Sequence, residues 1–215
     1  MKFFNITFLL IWLKYFFSKY SRYSFIYEQI LKNKPNSIME IGVYRGIRSI
    51  EMIKLSNKLN QNRTIFYGFD LFENITKEKI KHEASKQPLT LSILKKKITL
   101  FNGKNKTHLI KGDTKKTLKK FVKTNKKIDF IFVDGGHAVN TIKSDWENIK
   151  KIIHKKSIVI FDDYYHDENL SKKYGCKKII KNLGKKYLSQ IIKSNDYAIL
   201  SNKKIKNSLV KVNIV

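Results

Sequence analysis

Ile128-Asp-Phe-Ile-Phe-Val-Asp-Gly-Gly-His137 is the stretch on which the fold turns. A short apolar run, Phe130–Val133, stops at a carboxylate, two glycines and an imidazole. Its length and its β-branched and aromatic content suit a buried strand better than a helix. The glycines end the run and let the backbone turn. Asp134 and His137 are then held at the carboxyl end of a strand, where open α/β sheets bind ligands. Farther on the pattern recurs as Ser157-Ile-Val-Ile-Phe-Asp-Asp-Tyr-Tyr165, another apolar strand running into the carboxylates Asp162 and Asp163. Between them Asn140–His154 reads as a helix, with Ile142, Trp146, Ile149 and Ile153 at helical spacing. Strands joined by one helix are parallel and often adjacent, so the two acidic ends should meet.

The rest of the chain repeats this theme. Ser37-Ile-Met-Glu-Ile-Gly-Val-Tyr-Arg-Gly46 reads as a strand ending at Glu40, a turn at Gly42 and Gly46, and a helix from about Arg45 to Leu59. Two such glycines either admit a ligand close to the backbone or serve a tight turn with close helix packing. The dinucleotide fingerprint Gly-x-Gly-x-x-Gly is absent. Thr64–Asp70 is a strand with an acid at its end, placed either for ribose hydroxyls or as a cap. Thr107–Asp113 is a third, and Thr114–Thr124 a basic helix. Ser24–Lys32 is a short helix ended by Pro35. Glu73–Gly103 is polar and helix-like, with Pro88 opening its second half, and reads as a lid. Asp145, beside the helix stripe, reads as a solvated charge or a local salt bridge rather than a catalyst. Gly175–Ile192 reads as a lysine-rich amphipathic helix, and Asp196–Ser201 with Ser208–Val215 as a closing hairpin. Together these elements give an α/β, doubly wound, mostly parallel sheet with an antiparallel strand at the end.

At 215 residues the chain has room for one α/β domain and an appendage. The division falls between residues 1–22 and 23–215. Cys176 is the single cysteine, which excludes an intrachain disulfide and a cysteine-built metal site. It fits a reducing, cytoplasmic setting. The net charge is +28, nearly all of it lysine, spread along the chain; Arg22, Arg45, Arg48 and Arg63 are the only arginines. Arginine is the better reader of phosphates and bases, so specific nucleic-acid recognition is not expected. Met1–Phe17 is strongly apolar but interrupted by Lys14, short for a span and without a small-x-small cleavage site. Two readings of residues 1–20 stay open: contact with a membrane surface, through Trp12, Tyr15 and the lysines, or a helix packed on the domain or on a second subunit.

Asp134, Asp162 and Asp163, projecting from adjacent strand ends, would repel one another unless a cation neutralised them. Hard oxygen ligands favour Mg²⁺, Mn²⁺ or Ca²⁺ over Zn²⁺. Such a cation could bind a hydroxylated substrate and lower its pKa, with His137 positioned to take the proton. Strand-end acids also cap helices, and a histidine after two glycines can simply satisfy a loop carbonyl. The set as a whole favours a site.

Glu40-Ile-Gly-Val-Tyr-Arg-Gly46, Asp70 and Gly112-Asp113 resemble the cofactor motifs of class I S-adenosylmethionine-dependent methyltransferases. Tyr67-Gly-Phe-Asp-Leu-Phe-Glu73, Val133-Asp-Gly-Gly-His137 and Phe161-Asp-Asp-Tyr164 resemble more closely the metal-dependent sugar O-methyltransferases related to macrocin O-methyltransferase. The resemblance runs from about Ser24 to the C-terminus. It implies a Rossmann-like methyltransferase fold with a seven-stranded, mostly parallel sheet and an antiparallel C-terminal hairpin strand. It also implies that Glu40, Gly42 and Gly46 line the methionine end of S-adenosylmethionine, Asp70 holds the ribose, and Gly112 and Asp113 flank the adenine. Asp134, Asp162 and Asp163 would bind Mg²⁺ or Mn²⁺, and His137 would be the general base.

The expected activity is O-methylation of a hydroxyl on a sugar, glycan or glycosylated small molecule. Two other classes are weighed against it: a non-catalytic, membrane-associated assembly protein, motivated by Met1–Phe17 and the lysines, and an RNA methyltransferase or RNA-binding domain, motivated by charge.

Overall fold

The structure, a computed structural model, describes residues 23–194, 196–200 and 203–215. The apolar segment 1–22, and with it the choice between a packed helix and a membrane contact, lies outside them. From Tyr23 onward the chain alternates helix and strand: α1 Ser24–Asn33, β1 Ser37–Ile41, α2 Ile47–Leu59 and β2 Ile65–Asp70. The lid region follows with α3 Lys77–His82 and α4 Leu91–Asn102, then β3 Thr107–Lys111, α5 Thr114–Val122 and β4 Phe130–Val133. The last third holds α6 Val139–Ile152, β5 Ile158–Tyr165, α7 Glu168–Ser171, α8 Lys177–Lys181, β6 Tyr187–Ile191, β7 Tyr197–Leu200 and β8 Lys203–Ile214.

The strand order is β3-β2-β1-β4-β5-β8-β6, with β7 paired to β8 outside this path. The first five strands are parallel. The order reverses between β1 and β4, so the cleft at their carboxyl ends is the ligand site of a doubly wound sheet. Strand β8 runs antiparallel to β5, β6 and β7.

The sheet has eight strands where seven were expected, and Gly175–Ile192 is not one helix. Its helical part is only α8, ended at Asn182. Tyr187–Ile191 instead pairs along β8, from Tyr187 opposite Ile214 to Ile191 opposite Val210. The closing hairpin exists only as β7 with the first part of β8. The later part of β8 lies inside the sheet, where Leu209, Val210 and Val212 are fully buried. A strand buried on both faces reads as an apolar run, which local patterning cannot distinguish from one arm of a terminal hairpin.

Each sheet face has its own core. On one side Ile26, Ile30, Met52, Ile53, Leu94 and Ile98 cover Ile38, Phe130 and Ile160. On the other, Leu118, Phe121 and the stripe Ile142, Trp146, Ile149 and Ile153 cover Met39, Ile131 and Phe161. The Trp146 ring meets Phe161 edge-on with centroids 5.8 Å apart. Burial of each such side chain stabilises the fold by about 1.5–3 kcal/mol. Asp145, read as a solvated charge or a local salt bridge, is 1 % exposed. It sits one helical turn past Thr141 and follows that helix face into the interior. Among the described residues no helix is long and apolar enough to cross a membrane.

Candidate active site

Backbone bonds clamp the carboxyl ends of the parallel strands together. The Gly42 amide donates to the Phe69 carbonyl (2.8 Å), the Asp134 amide to Ile41 (2.8 Å), and the Gly112 amide to Asp70 (2.9 Å). A side chain at Gly42 would put its Cβ 2.0 Å from the Asp134 carbonyl oxygen, and its φ is +91°. The glycine is required because the end of β1 lies directly against the Asp134 turn. Gly46 has a different duty: its φ of +73° starts α2, and a Cβ there would press on Leu94 at 2.7 Å.

Above these ends lies a cleft of about 540 Å³ walled by Gly42, Tyr44, Asp70, Gly112 and Asp113 on one side. Asp134, His137, Asp163 and Tyr165 wall the other. The lid contributes Lys79, Glu83 and Pro88, the C-terminal hairpin contributes Tyr197–Leu200, and Tyr23 closes one edge.

The Asp70 carboxylate accepts the Tyr44 amide at 2.8 Å and the Phe72 amide at 3.1 Å. These bonds fix it at the cleft wall. Asp113 accepts the Lys115 amide at 2.9 Å as the cap of α5, and the Lys79 ammonium at 3.0 Å. Burial raises its pKa, but Lys79 and the Lys115 amide outweigh that and hold the carboxyl below the usual range. Beneath it, Asp145 has one carboxylate oxygen, Oδ1, without a hydrogen-bond partner, and burial pushes its pKa up to about 7.

Glu40 departs from expectation. It is 2 % exposed and is not among the cleft walls; the Ser49 hydroxyl in the first turn of α2 donates to it. Strand alternation turns Ile41 to one face and Glu40 into the α2 layer. Burial, the dominant effect, pushes its pKa up to about 8. Gly46 likewise packs against α4 and does not wall the cleft.

Of the expected metal ligands the structure brings together two, and adds a third donor. Asp134, His137 and Asp163 each offer an atom within 4.8 Å of the others. His137 Nε2 lies 2.9 Å from Asp163 Oδ2. Asp162 is not in this group. Its Oδ2 accepts the Tyr23 hydroxyl at 3.3 Å and its Oδ1 the Asp163 amide at 2.8 Å. The cause is a register shift in β5 between Phe161 and Tyr164, where Asp163 takes a φ of +62°. Such a bulge re-aims side chains at a strand end. For His137, burial opposes protonation, but Asp163, Asp162 and Glu83 outweigh it and raise its pKa. Burial and then Asp163 push the Tyr165 hydroxyl far up.

Two supporting residues escaped the sequence reading. Glu83, 2 % exposed, reaches from the lid to the Asp134-Gly-Gly-His137 turn. Its Oε2 accepts the Ala138 amide (2.9 Å), its Oε1 the Thr141 hydroxyl (2.7 Å), and its carbonyl the His137 amide (3.2 Å). Asn207, fully buried in β8, donates from Nδ2 to Asp163 Oδ1 at 3.0 Å. Neither sits in a motif: each is a lone polar residue in a polar stretch, recruited by the tertiary fold.

A family profile described as a methyltransferase domain matches residues 39–164, more than half of the chain, from within β1 to within β5 and including the acidic strand ends. The chain belongs to this methyltransferase family. It is a methyltransferase of the class that takes its methyl group from S-adenosylmethionine. A comparison with curated proteins found no match. Several solved structures share the fold. An O-methyltransferase from Bacillus cereus, in complex with SAH, aligns with TM-score 0.59 at 13% identity, over 98% of this chain and 91% of that one. An rRNA methylase from Streptococcus thermophilus aligns with TM-score 0.63 at 12% identity, over 92% and 98%. The calicheamicin methyltransferase CalS11 aligns with TM-score 0.55 at 18% identity, over 86% and 74%.

The methyltransferase's own residues fit the donor. The cleft lies within the ~300–1,000 Å³ usual for small-molecule sites, and Gly42, Asp70, Gly112 and Asp113 stand along one wall of it. They also fit a hard divalent cation. Two carboxylates and an imidazole converge at the cleft, Asp162 and Glu83 add negative potential behind them, and the nearby Lys79 is bonded to Asp113.

Proposed function

We propose that this methyltransferase is a divalent-metal-dependent O-methyltransferase acting on a hydroxyl of a sugar, glycan or glycosylated small molecule. The observation that carries the reading is the convergence of Asp134, His137 and Asp163 on the cleft that also holds Asp70 and Gly112. Asp70 would receive the ribose hydroxyls of S-adenosylmethionine, since two backbone amides already hold its carboxylate in place. Gly112 and Asp113 would flank the adenine. Asp134 and Asp163 would hold Mg²⁺ or Mn²⁺, with Asp162 supporting them through its bond from the Asp163 amide. When bound, the metal supplies neutralisation of these carboxylates and a lowered pKa for an acceptor hydroxyl.

His137 is the proposed general base. Its Nε2, 2.9 Å from Asp163 Oδ2, is the ring atom beside the carboxylate cluster and would face an acceptor hydroxyl held there, while Nδ1 is buried. Glu83 holds the backbone on both sides of the imidazole. The methyl donor is already activated, so the chain's contribution is to position the hydroxyl, exclude water and remove one proton. The sugar acceptor is supported by the resemblance of Asp134-Gly-Gly-His137 and Asp162-Asp163-Tyr164 to the sugar O-methyltransferase motifs.

Methyl transfer from labelled S-adenosylmethionine to a panel of nucleotide sugars and glycosides tests the reading, with and without EDTA, and in His137→Ala and Asp163→Ala. Loss of activity on chelation, restored by Mg²⁺ or Mn²⁺, is expected, with a fall of about 100-fold or more without the base. Full activity in EDTA and in both variants would overturn the metal and base assignments. Methylation of RNA in place of the glycosides would overturn the acceptor class.

A further inference from the structure

The outer face of the β7–β8 hairpin borders the mouth of the cleft and is left uncovered by the core. Tyr197 faces Lys206 across the hairpin, and Ile199 faces Lys204. Directly opposed residues share one face of a sheet, so these four form a single patch. Tyr197 is 50 % exposed and Ile199 79 %, the latter among the most exposed large apolar side chains of the described fold. The Lys204 ammonium lies 4.5 Å from the centre of the Tyr197 ring. On the opposite face Ile205 is buried, so the hairpin is seated on the protein and presents its other side outward. From residue 193 to 206 the sequence carries four lysines and one acid, Asp196.

An aromatic ring, a protruding aliphatic side chain and flexible ammonium groups on one patch match the chemistry of a bilayer interface. The apolar groups enter the headgroup–acyl boundary while lysines reach anionic headgroups. A second copy of the chain is a poor occupant, because both surfaces would be strongly basic. RNA is a poor one too, because the patch has no arginine and its most prominent group is aliphatic. The position of the patch agrees. Tyr197–Leu200 wall the catalytic cleft, so docking through this face sets the cleft mouth at the docked surface. The root of the hairpin is Asn207, whose side chain holds Asp163 and whose amide bonds the Asp196 carbonyl.

We propose that the outer face of the β7–β8 hairpin, built from Tyr197, Ile199, Lys204 and Lys206, docks this methyltransferase on an anionic phospholipid surface. Docking there holds the cleft mouth beside the bilayer, where an acceptor carried on a lipid would be presented. The docking stands on the hairpin alone and does not depend on the metal or the acceptor assignment.

The test uses the full chain. Ile199→Cys is labelled with an environment-sensitive fluorophore; the native Cys176 is fully buried. Vesicles of phosphatidylcholine with phosphatidylglycerol should shift the emission to the blue, and vesicles of phosphatidylcholine alone should shift it little. In co-sedimentation of unlabelled protein, Lys204→Glu and Lys206→Glu should each weaken binding to the anionic vesicles by about fivefold or more. Unchanged unfolding midpoints show that these variants fold. Sedimentation with vesicles but no emission shift, or binding indifferent to both lysine reversals, would overturn the proposal, because contact would then lie elsewhere in the chain. An emission shift produced by single-stranded RNA and not by anionic vesicles would overturn it as well.

Discussion

Glu83 is a single side chain that locks the lid to the catalytic turn, and its removal has a calculable effect. In Glu83→Ala the Ala138 amide and the Thr141 hydroxyl, both buried, lose their acceptor. Hydrogen bonds to a charged acceptor contribute about 1.5–3 kcal/mol each, and the carboxylate also faces the positive end of α6. Less overlap between these terms, the loss is about 3–5 kcal/mol. For a domain of this size that corresponds to a fall of roughly 10 °C in melting temperature. Glu83→Gln keeps the shape and can still accept from Ala138 while donating to the Thr141 oxygen, so its loss should be nearer ~1 kcal/mol. Urea unfolding measures both. Limited trypsin digestion gives a second readout, because Lys77, Lys79, Lys81 and Lys86 flank the anchor. The alanine variant should be cut in this segment much faster than wild type under native conditions, and the glutamine variant only slightly faster. If Glu83→Ala keeps the wild-type urea midpoint and cleavage rate, the lid is held by other contacts and Glu83 does not position His137.

Three further outcomes follow from the same geometry. Gly42→Ala should cost more than about 4 kcal/mol or prevent folding, since its Cβ would overlap the Asp134 carbonyl at 2.0 Å; a soluble variant with a near-native melting curve would contradict the close approach of β1 and β4. Glu40 is protonated in the fold up to about pH 8 and ionises near 4.5 when unfolded, so its contribution is present at low pH and is lost as pH rises from about 4.5 to 8. Glu40→Gln should therefore flatten the decline in stability between about pH 4.5 and 8 in ligand-free protein, seen as melting temperatures that converge with wild type at low pH and exceed it at high pH; parallel curves would refute the buried neutral carboxyl. Asn207→Ala should weaken Mn²⁺ binding, read by paramagnetic resonance, by about tenfold or more if Asn207 orients Asp163 for the metal; an unchanged affinity would remove that role.

The sequence by itself determined the alternation of strand and helix, the placing of an acid at nearly every strand end, and the class of chemistry. These are local properties. Phe130–Val133 suits a buried strand better than a helix, and Gly135-Gly136 ends it. The Ile142–Trp146–Ile149–Ile153 stripe marks a helix with one face turned to the core. Local pattern also suggested Asp162 as an equal partner of Asp163. Only the bulge in β5 decided that Asp163 joins Asp134 and His137 while Asp162 takes the Tyr23 hydroxyl. A bulge is a misfit between two strands, and the second strand, β8, lies some forty residues away in the sequence. Glu40 is similar: its motif reads as a cofactor contact, but strand alternation against α2 turned it into the interior. Glu83 and Asn207 were silent, because a polar residue in a polar stretch carries no period and no motif. Each matters through one distant partner, and distance along the chain is the coordinate that folding removes. The tertiary structure thus decided which carboxylates share a site and what holds them there, because that depends on the register between strands and on contacts far apart in sequence.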